Sequence, residues 1–166
     1  LLLHFGMTGF LSYYKGEEDP DYSHLVLRFS GGYSLAYVNK RMLGRVGLID
    51  DIPAYVEEEE LGPDAMELSR GEFASIVEGG RGSIKSTLMN QKRICGLGNV
   101  YTDEILFAAG IDPRRRAAAL SVAEIAALHS ATAKTLRRAI KYCGVTFSDF
   151  QDSRGLTGSY QKYLRV

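Results

Sequence analysis

The sequence predicts an α+β fold in which a partial antiparallel β-sandwich is followed by a mainly helical domain. In the first fifty residues, short apolar runs alternate with glycine-rich turns, which is typical of antiparallel strands. Helical periodicity begins after residues 61–64, and residues 83–110 hold two amphipathic arms around a glycine-rich turn. We therefore predict a sandwich domain over residues 1–60 and a helical domain over residues 61–166.

The strand signals are local and follow one another along the first domain. Residues 1–5 predict a buried strand that runs into a turn at residues 6–9. Residues 24–29 and 33–38 alternate in polarity on either side of Ser30-Gly31-Gly32, which predicts a β-hairpin. A further short strand is predicted over residues 44–49.

Two polar stretches separate these signals from the helices. Residues 15–21, KGEEDPD, predict a surface loop. The acidic run at residues 57–60 predicts a solvated connector between the two domains.

Two capping boxes mark helix starts in the second domain. Ser69 with Glu72 predicts a helix to about residue 77, and Ser121 with Glu124 predicts a long helix that ends near residue 142. Four apolar residues of the long helix recur at helical spacing and are predicted to face inward. They are Ile125, Leu128, Leu136 and Ile140.

The turn Cys95-Gly96-Leu97-Gly98-Asn99 joins two predicted helices and is the centre of the chain. Their apolar stripes are Ile84, Leu88 and Met89 on one arm, and Val100, Ile105, Leu106 and Phe107 on the other. Gly96 and Gly98 are predicted to supply backbone angles closed to other residues, and Asn99 to cap the second helix. This helix start, flanked by Lys85, Lys92 and Arg93, is either a phosphate site or only a tight connection.

Charge is distributed unevenly although the net charge is zero. Residues 1–80 carry 6 basic and 14 acidic side chains, whereas residues 81–141 carry 11 basic and 4 acidic side chains. The basic block coincides with the two-helix turn, so the field there favours an anionic ligand.

The cysteines and the apolar opening bear on the compartment of the protein. Cys95 and Cys143 lack metal or disulfide spacing, which favours a reducing, cytoplasmic location. The apolar opening is too short to span a bilayer, so no membrane partner is predicted. Because the chain begins at Leu1, we expect it to be a piece of a longer protein.

Four segments together resemble the formamidopyrimidine-DNA glycosylases and the related endonuclease VIII enzymes. They occur in the order and with the spacing of that family. The segments are HFGMTG at residues 4–9, NKRMLG at 39–44, LMNQKRICGLGNVYTDEILFAAGIDP at 88–113 and VTFSDFQDSRGLTGSY at 145–160.

The resemblance implies base-excision repair of oxidised bases, with the damaged nucleotide rotated out of the duplex. Extrusion costs a few kcal/mol of stacking and pairing, so side chains must fill the gap. In the family pattern the filler positions match Met7, Arg41 and Leu43. For Met7 and Leu43 the alternative is a place in the core. The implied partner is double-stranded DNA with a damaged base or an abasic site, which also implies association with the nucleoid.

The resemblance assigns further positions. Lys85 and Asn99 match residues that contact phosphate. Glu104 matches a carboxylate that faces the active site, the alternative being an exposed helical glutamate. A loop at residues 144–160 matches the segment that closes over the extruded base, with movement allowed by its glycines. Its candidate residues are Ser153, Arg154, Gly155, Gly158 and Tyr160.

Departures from the family pattern qualify these assignments. The family nucleophile is an N-terminal proline followed by glutamate, and a zinc or zinc-less finger lies at the other end. This chain runs from Leu1 to Val166 and matches neither. We therefore expect an inactive fragment with no catalytic residue except a possible supporting Glu104, no metal or other cofactor, and zinc only in the finger of the full-length protein.

Substitutions within the matched segments bear on lesion preference. In the segment at residues 39–44, Met42 replaces the second residue of the family's arginine pair, and Leu43 replaces a phenylalanine. Leu156-Thr157 replaces a Lys-Pro pair in the closing loop. The preferred lesion is therefore expected to differ from the 8-oxoguanine type.

Two other functions compete with the glycosylase interpretation. A non-catalytic DNA- or RNA-binding module could use the same helical turn. Nucleotide binding through Gly96-Leu97-Gly98 is disfavoured because a helix, not a strand, precedes the turn. A truncated sandwich would leave exposed sheet edges around residues 1–3, which predicts possible dimerisation.

Overall fold

The computed structural model describes residues 1–146 and 151–166. It contains two compact units. The strand unit comprises Leu1–Asp50 and Lys141–Lys162, and the helical unit comprises Asp51–Ile140 and Tyr163–Val166. The predicted fold class, antiparallel sheets followed by a helical domain, is confirmed.

The strand unit contains two antiparallel sheets. Strand β1 pairs with β5, and the second sheet has the order β2-β4-β3. The strands are β1 Leu2–His4, β2 Phe10–Lys15, β3 Ser23–Arg28, β4 Tyr33–Val38 and β5 Arg45–Gly47. The predicted hairpin is confirmed, since β3 and β4 pair with Leu27 opposite Leu35.

The opening strand differs from its prediction. Leu2 and Leu3 are only half-buried, and Leu1 is 55% exposed. The reason is that β1 lies in a two-stranded sheet, so it has one neighbouring strand rather than two. Strand β2 alternates less clearly in sequence and was not predicted.

The helical unit contains five α-helices among the described residues. They are α1 Ile52–Glu58, α2 Arg70–Glu78, α3 Ile84–Leu88, α4 Asn99–Ala109 and α5 Val122–Lys141. Helix α1 corrects one prediction, because Glu57 and Glu58 end a helix rather than form a connector. Asp51 caps this helix through the N–H of Ala54, although no residue of α1 is buried.

Both predicted capping boxes are confirmed. The Ser69 hydroxyl accepts from the Glu72 N–H, and the Glu72 carboxylate accepts from the Ser69 N–H at 2.9 Å. The same exchange joins Ser121 and Glu124 at the start of α5. A box of this kind satisfies helix-terminal N–H groups, which fixes where each helix begins.

One hydrophobic core lies within the helical unit, with Phe73, Leu88, Ile105 and Leu128 fully buried. Three residues of the predicted apolar stripes are exposed instead. Met89 is 36% exposed because it is the C-cap residue, beyond the last residue of α3. Phe107 is 54% exposed because it lies opposite the buried pair Ile105 and Leu106 on α4. Ile140 is 67% exposed, since a four-residue step from Leu136 rotates beyond the buried arc of α5.

In the part of the chain that the structure describes, none of the helices combines the length and the hydrophobicity needed to cross a bilayer.

Candidate nucleic-acid interface

An ion pair joins the two helices of the central turn. The Lys85 ammonium on α3 lies 2.8 Å from the Asp103 carboxylate on α4, and both side chains are about two-thirds buried or more (31% and 26% exposed). Asp103 follows Asn99 by four residues, so the two share one face of α4. The ion pair therefore brings the positive charge of Lys85 to the helix face that begins with Asn99.

The two glycines of the turn have different roles. Gly96 has φ +88°, which only glycine adopts readily, so its prediction is confirmed. Gly98 has φ −104°, which other residues adopt, so the same prediction is wrong for Gly98. A Cβ atom on Gly98 would meet nothing within 4 Å. Neither backbone angle nor packing requires glycine at position 98 in the free protein.

Asn99 does not cap α4. Gly98 occupies the N-cap position and offers no side-chain acceptor, and Asn99 is the first helical residue. The Asn99 side chain is exposed and has no hydrogen-bond partner among the described residues. The positive end of α4, with first-turn N–H groups that no side chain caps, is thus open to an anion.

Gln91 shapes the turn, a role that no sequence pattern predicts. Its amide nitrogen donates to the Leu97 carbonyl at 2.8 Å, and its amide oxygen accepts from the Gly96 N–H at 3.1 Å. A single side chain thus satisfies backbone groups on both sides of the bend. This role depends on the folded turn, because both hydrogen-bond partners of Gln91 are backbone groups that the bend brings within reach.

The positive charge available around the turn is smaller than the number of basic residues there suggests. Lys92 pairs with Glu60, and this hydrogen bond lowers the pKa of Glu60 and raises the pKa of Lys92. Arg93 donates to the Ile76 carbonyl at 3.4 Å. Lys85 reaches the face of Asn99 through its ion pair with Asp103, which neutralises part of its charge.

Glu104 is buried, at 4% exposure, so its interpretation as an exposed helical glutamate is wrong. Its Oε1 accepts the backbone N–H groups of Arg165 at 2.7 Å and Val166 at 2.9 Å. Within the helical unit, Glu104 therefore fixes the segment 163–166 against α4.

Two turns of the strand unit carry the predicted filler residues. We call residues 6–9 the first wedge turn and residues 39–44 the second wedge turn. Met7 is 75% exposed and Leu43 is 50% exposed, which excludes the core interpretation for both. Arg41 is also exposed, and its Nη1 lies 3.8 Å from the Met7 sulfur. The two turns therefore present Met7 and Arg41 side by side.

The predicted closing loop is partly described, and residues 147–150 of it lie outside the described residues. Ser153 accepts from the Tyr13 N–H at 2.6 Å, and Arg154 and Gly155 are exposed. Gly158 is buried, where a Cβ atom would lie 2.2 Å from the Gly144 carbonyl oxygen. Tyr160 is 3% exposed. The structure thus explains Gly158 by close packing, whereas Gly155 adopts φ +81° in an exposed turn.

Residues 1–146 and 151–166 contain no cluster of three or more His, Cys, Asp or Glu side chains suited to a metal ion.

Two family models match the chain. The formamidopyrimidine-DNA glycosylase H2TH domain matches residues 61–151, and the N-terminal domain of the same family matches residues 1–46. Among curated relatives, a formamidopyrimidine-DNA glycosylase of Moorella thermoacetica is 37% identical over all of this chain and 62% of its own length. A formamidopyrimidine-DNA glycosylase of Solibacter usitatus is 36% identical over all of this chain and 61% of its own length.

Solved structures also match this chain. The complex between Lactococcus lactis Fpg and abasic-site DNA matches with a TM-score of 0.87 and 28% identity, covering 98% of this chain and 61% of that one. A Lactococcus lactis FPG mutant bound to Fapy-dG DNA also matches with a TM-score of 0.87, at 27% identity and the same coverage. The chain spans about 62% of the length of the curated relatives it matches. By these matches, which extend over both units, the chain belongs to the formamidopyrimidine-DNA glycosylase family.

Proposed function

We propose that this chain binds double-stranded DNA containing a damaged base or an abasic site. We further propose that the whole protein serves base-excision repair as a glycosylase and abasic-site lyase that removes oxidised bases. Family membership supports both statements, as do relatives named formamidopyrimidine-DNA glycosylase and structural matches that hold damaged DNA. The groups described here supply binding, and the covalent chemistry is a property of the whole protein.

The observation that carries the proposal is the open turn before α4. Gly98 has no contact that would exclude a larger residue, and the helix start has no side-chain cap. The exposed Asn99 amide begins the face of α4 on which Asp103 pairs with the Lys85 ammonium of α3. Together they supply the donors and the charge that clamp a phosphate without reading base sequence.

The strand unit contributes a different kind of contact. Met7 and Leu43 are apolar yet at least half exposed, a cost that packing within the chain does not offset. Such side chains can enter a base stack from which a nucleotide has been extruded. Arg41, in the same turn as Leu43, can donate hydrogen bonds to the partner base left unpaired.

Glu104 and the loop residues have supporting roles in this proposal. Glu104 orders the segment 163–166 rather than contacting DNA itself. Of the candidate loop residues, Ser153, Arg154 and Gly155 are exposed and open to a lesion, as are the neighbouring Leu156 and Thr157. Gly158 and Tyr160 anchor the loop by packing.

The test is equilibrium binding to two duplexes that differ only by an abasic-site analogue, titrated over salt. The double variant Lys85→Ala/Asn99→Ala is expected to weaken binding to both duplexes and to reduce the salt slope by about one. Lys134→Ala, which removes an exposed lysine of α5, is the charge-matched control. Unchanged binding in the double variant would contradict the proposal. Equal affinity of the unmodified chain for both duplexes would instead favour a non-specific binding module.

A further inference from the structure

A buried polar network lies beneath the two wedge turns. Tyr37, in β4, is 3% exposed, and Asn39, which opens the second wedge turn, is 1% exposed. Polar side chains are rarely this buried unless hydrogen bonds satisfy them. The Tyr37 hydroxyl and the Asn39 amide nitrogen have partners, whereas Asn39 Oδ1 has none among the described residues. The partners of the two donors indicate what these residues do.

The partners lie directly before the first wedge turn. The Tyr37 hydroxyl donates to the His4 carbonyl at 2.8 Å, and the Asn39 amide donates to the Phe5 carbonyl at 3.2 Å. The Asn39 amide also donates to the Tyr37 hydroxyl at 3.0 Å. Two of these bonds run from β4 and the second wedge turn to the backbone that leads into the first wedge turn, and the third links the two donors to each other.

Two glycines show how closely the turns approach each other. A Cβ atom on Gly44 would lie 1.8 Å from the Tyr37 hydroxyl, 2.4 Å from the Asn39 amide nitrogen and 2.4 Å from the His4 carbonyl oxygen. A Cβ atom on Gly6 would lie 2.7 Å from the Leu43 carbonyl oxygen. Any larger residue at either position would push the turns apart.

We infer that Tyr37 and Asn39 are positioning residues, which hold Met7 and Leu43 at a fixed separation for entry into the base stack. This inference rests on the proposed function. Met7 lies three residues after His4, and Leu43 directly precedes Gly44, so the network acts next to both wedges. Neither Tyr37 nor Asn39 is accessible to DNA, and each acts through the backbone of the turns.

A fixed separation matters because a base gap has a fixed size. If the side chains that fill the gap become ordered only on binding, the entropy lost in ordering them lowers the affinity for the gapped duplex. A network that orders both turns in the free protein removes that cost. Its loss should therefore reduce recognition of the gap without reducing contact with intact duplex.

The primary variant is Tyr37→Phe, which removes one hydroxyl and keeps the ring that packs on Phe5 at 5.7 Å. Its matched control is Tyr14→Phe. That substitution also removes a hydroxyl hydrogen bond in the same sheet, here to Asp19 at 2.5 Å, but away from the wedge turns. Asn39→Ala is a second variant, which keeps the bond between Tyr37 and His4.

Two readouts separate positioning from folding. The first is the ratio of affinities for abasic-site and intact duplexes, and the second is the fluorescence change of a 2-aminopurine placed beside the abasic site. Loss of one buried hydrogen bond predicts a ratio reduced by about tenfold in Tyr37→Phe, with a smaller fluorescence change. Affinity for intact duplex and the behaviour of Tyr14→Phe should match the unmodified chain.

The inference is overturned if folded Tyr37→Phe and Asn39→Ala both keep the ratio of the unmodified chain. It is also overturned if neither variant folds, since the network would then be needed for the fold itself. Failure of the proposed function looks different. In that case the unmodified chain shows no preference for the abasic site, and Met7→Ala changes nothing.

Discussion

The Lys85 ammonium lies 2.8 Å from the Asp103 carboxylate, across the turn that joins α3 to α4. Lys85, which we propose binds a DNA phosphate, is thus held in place before DNA binds. The Asp103 carboxylate that holds it competes with the phosphate for the same positive charge. Partial burial of both side chains strengthens this competition relative to an exposed pair.

Asp103→Asn is expected to tighten binding to duplex DNA by about three- to tenfold at low salt, because a negative charge beside the phosphate is removed. The gain should vanish in the Lys85→Ala background, since it operates through the lysine. Fluorescence anisotropy over a salt series measures both effects. Weaker binding in Asp103→Asn would show instead that orientation of Lys85 by Asp103 outweighs their competition.

Gly98→Ala separates a binding role from a folding role. With φ −104° and open space around the position, alanine should cost no more than about 1 kcal/mol of unfolding free energy, the loss of a good N-cap residue. Its methyl group would nevertheless occupy the approach to the helix start, so DNA affinity should fall by about tenfold.

Gly96→Ala is the informative comparison for Gly98→Ala. Its φ of +88° makes alanine strained, with an expected cost of about 1–2 kcal/mol in urea unfolding. If Gly98→Ala binds DNA as tightly as the unmodified chain, the phosphate does not approach the backbone at position 98.

Glu104→Gln should destabilise the helical unit. The carboxylate accepts two backbone N–H groups while buried, and a neutral amide accepts them more weakly, at a cost of about 1–3 kcal/mol. Urea denaturation followed by circular dichroism measures this cost. The exposed Glu78→Gln on α2 should change stability by less than about 0.5 kcal/mol. Equal stability of the two variants would contradict the role assigned to Glu104.

Acid stability should depend on Glu124. The Arg115 guanidinium, followed by the Ser121 backbone N–H and hydroxyl, lowers the pKa of Glu124 from 4.5 to about 2. Because the folded pKa lies below the unfolded one, the stabilisation is fully present above pH 4.5 and is lost as the pH falls towards 2.

Thermal unfolding between pH 5 and pH 2 tests this linkage, because this range spans the unfolded and folded pKa values of Glu124. Glu124→Gln should be less stable at pH 5 and should lose less stability on acidification than the unmodified chain. Glu67→Gln, an exposed carboxylate near α2, should follow the unmodified curve. Parallel curves for Glu124→Gln and the unmodified chain would contradict the assigned pKa.

Features set by neighbouring residues could be predicted from the sequence. The β3–β4 hairpin follows from Ser30-Gly31-Gly32, and the starts of α2 and α5 follow from their capping boxes, because each signal and its partner lie within a few residues. The start of α4 was misplaced by one residue, because both Gly98 and Asn99 suit an N-cap.

Features that depend on distant partners could not be predicted. Glu104 is buried because its partners lie 61 and 62 residues away, and Lys92 is paired with Glu60, 32 residues away. The polarity pattern of a helix contains no information about such contacts. The same limit applies to Gln91, whose two hydrogen bonds exist only once the turn has formed.

The central claim is that the helical unit supplies affinity for the DNA backbone and that the strand unit supplies preference for a gap in the stack. The most direct measurement compares Lys85→Ala, Met7→Ala and the unmodified chain on duplexes with and without an abasic-site analogue. We expect Lys85→Ala to weaken binding to both duplexes by the same factor, with a salt slope lower by about one. We expect Met7→Ala to reduce only the preference for the abasic site. Loss of the preference in Lys85→Ala, or an equal loss of affinity for both duplexes in Met7→Ala, would contradict this division of roles.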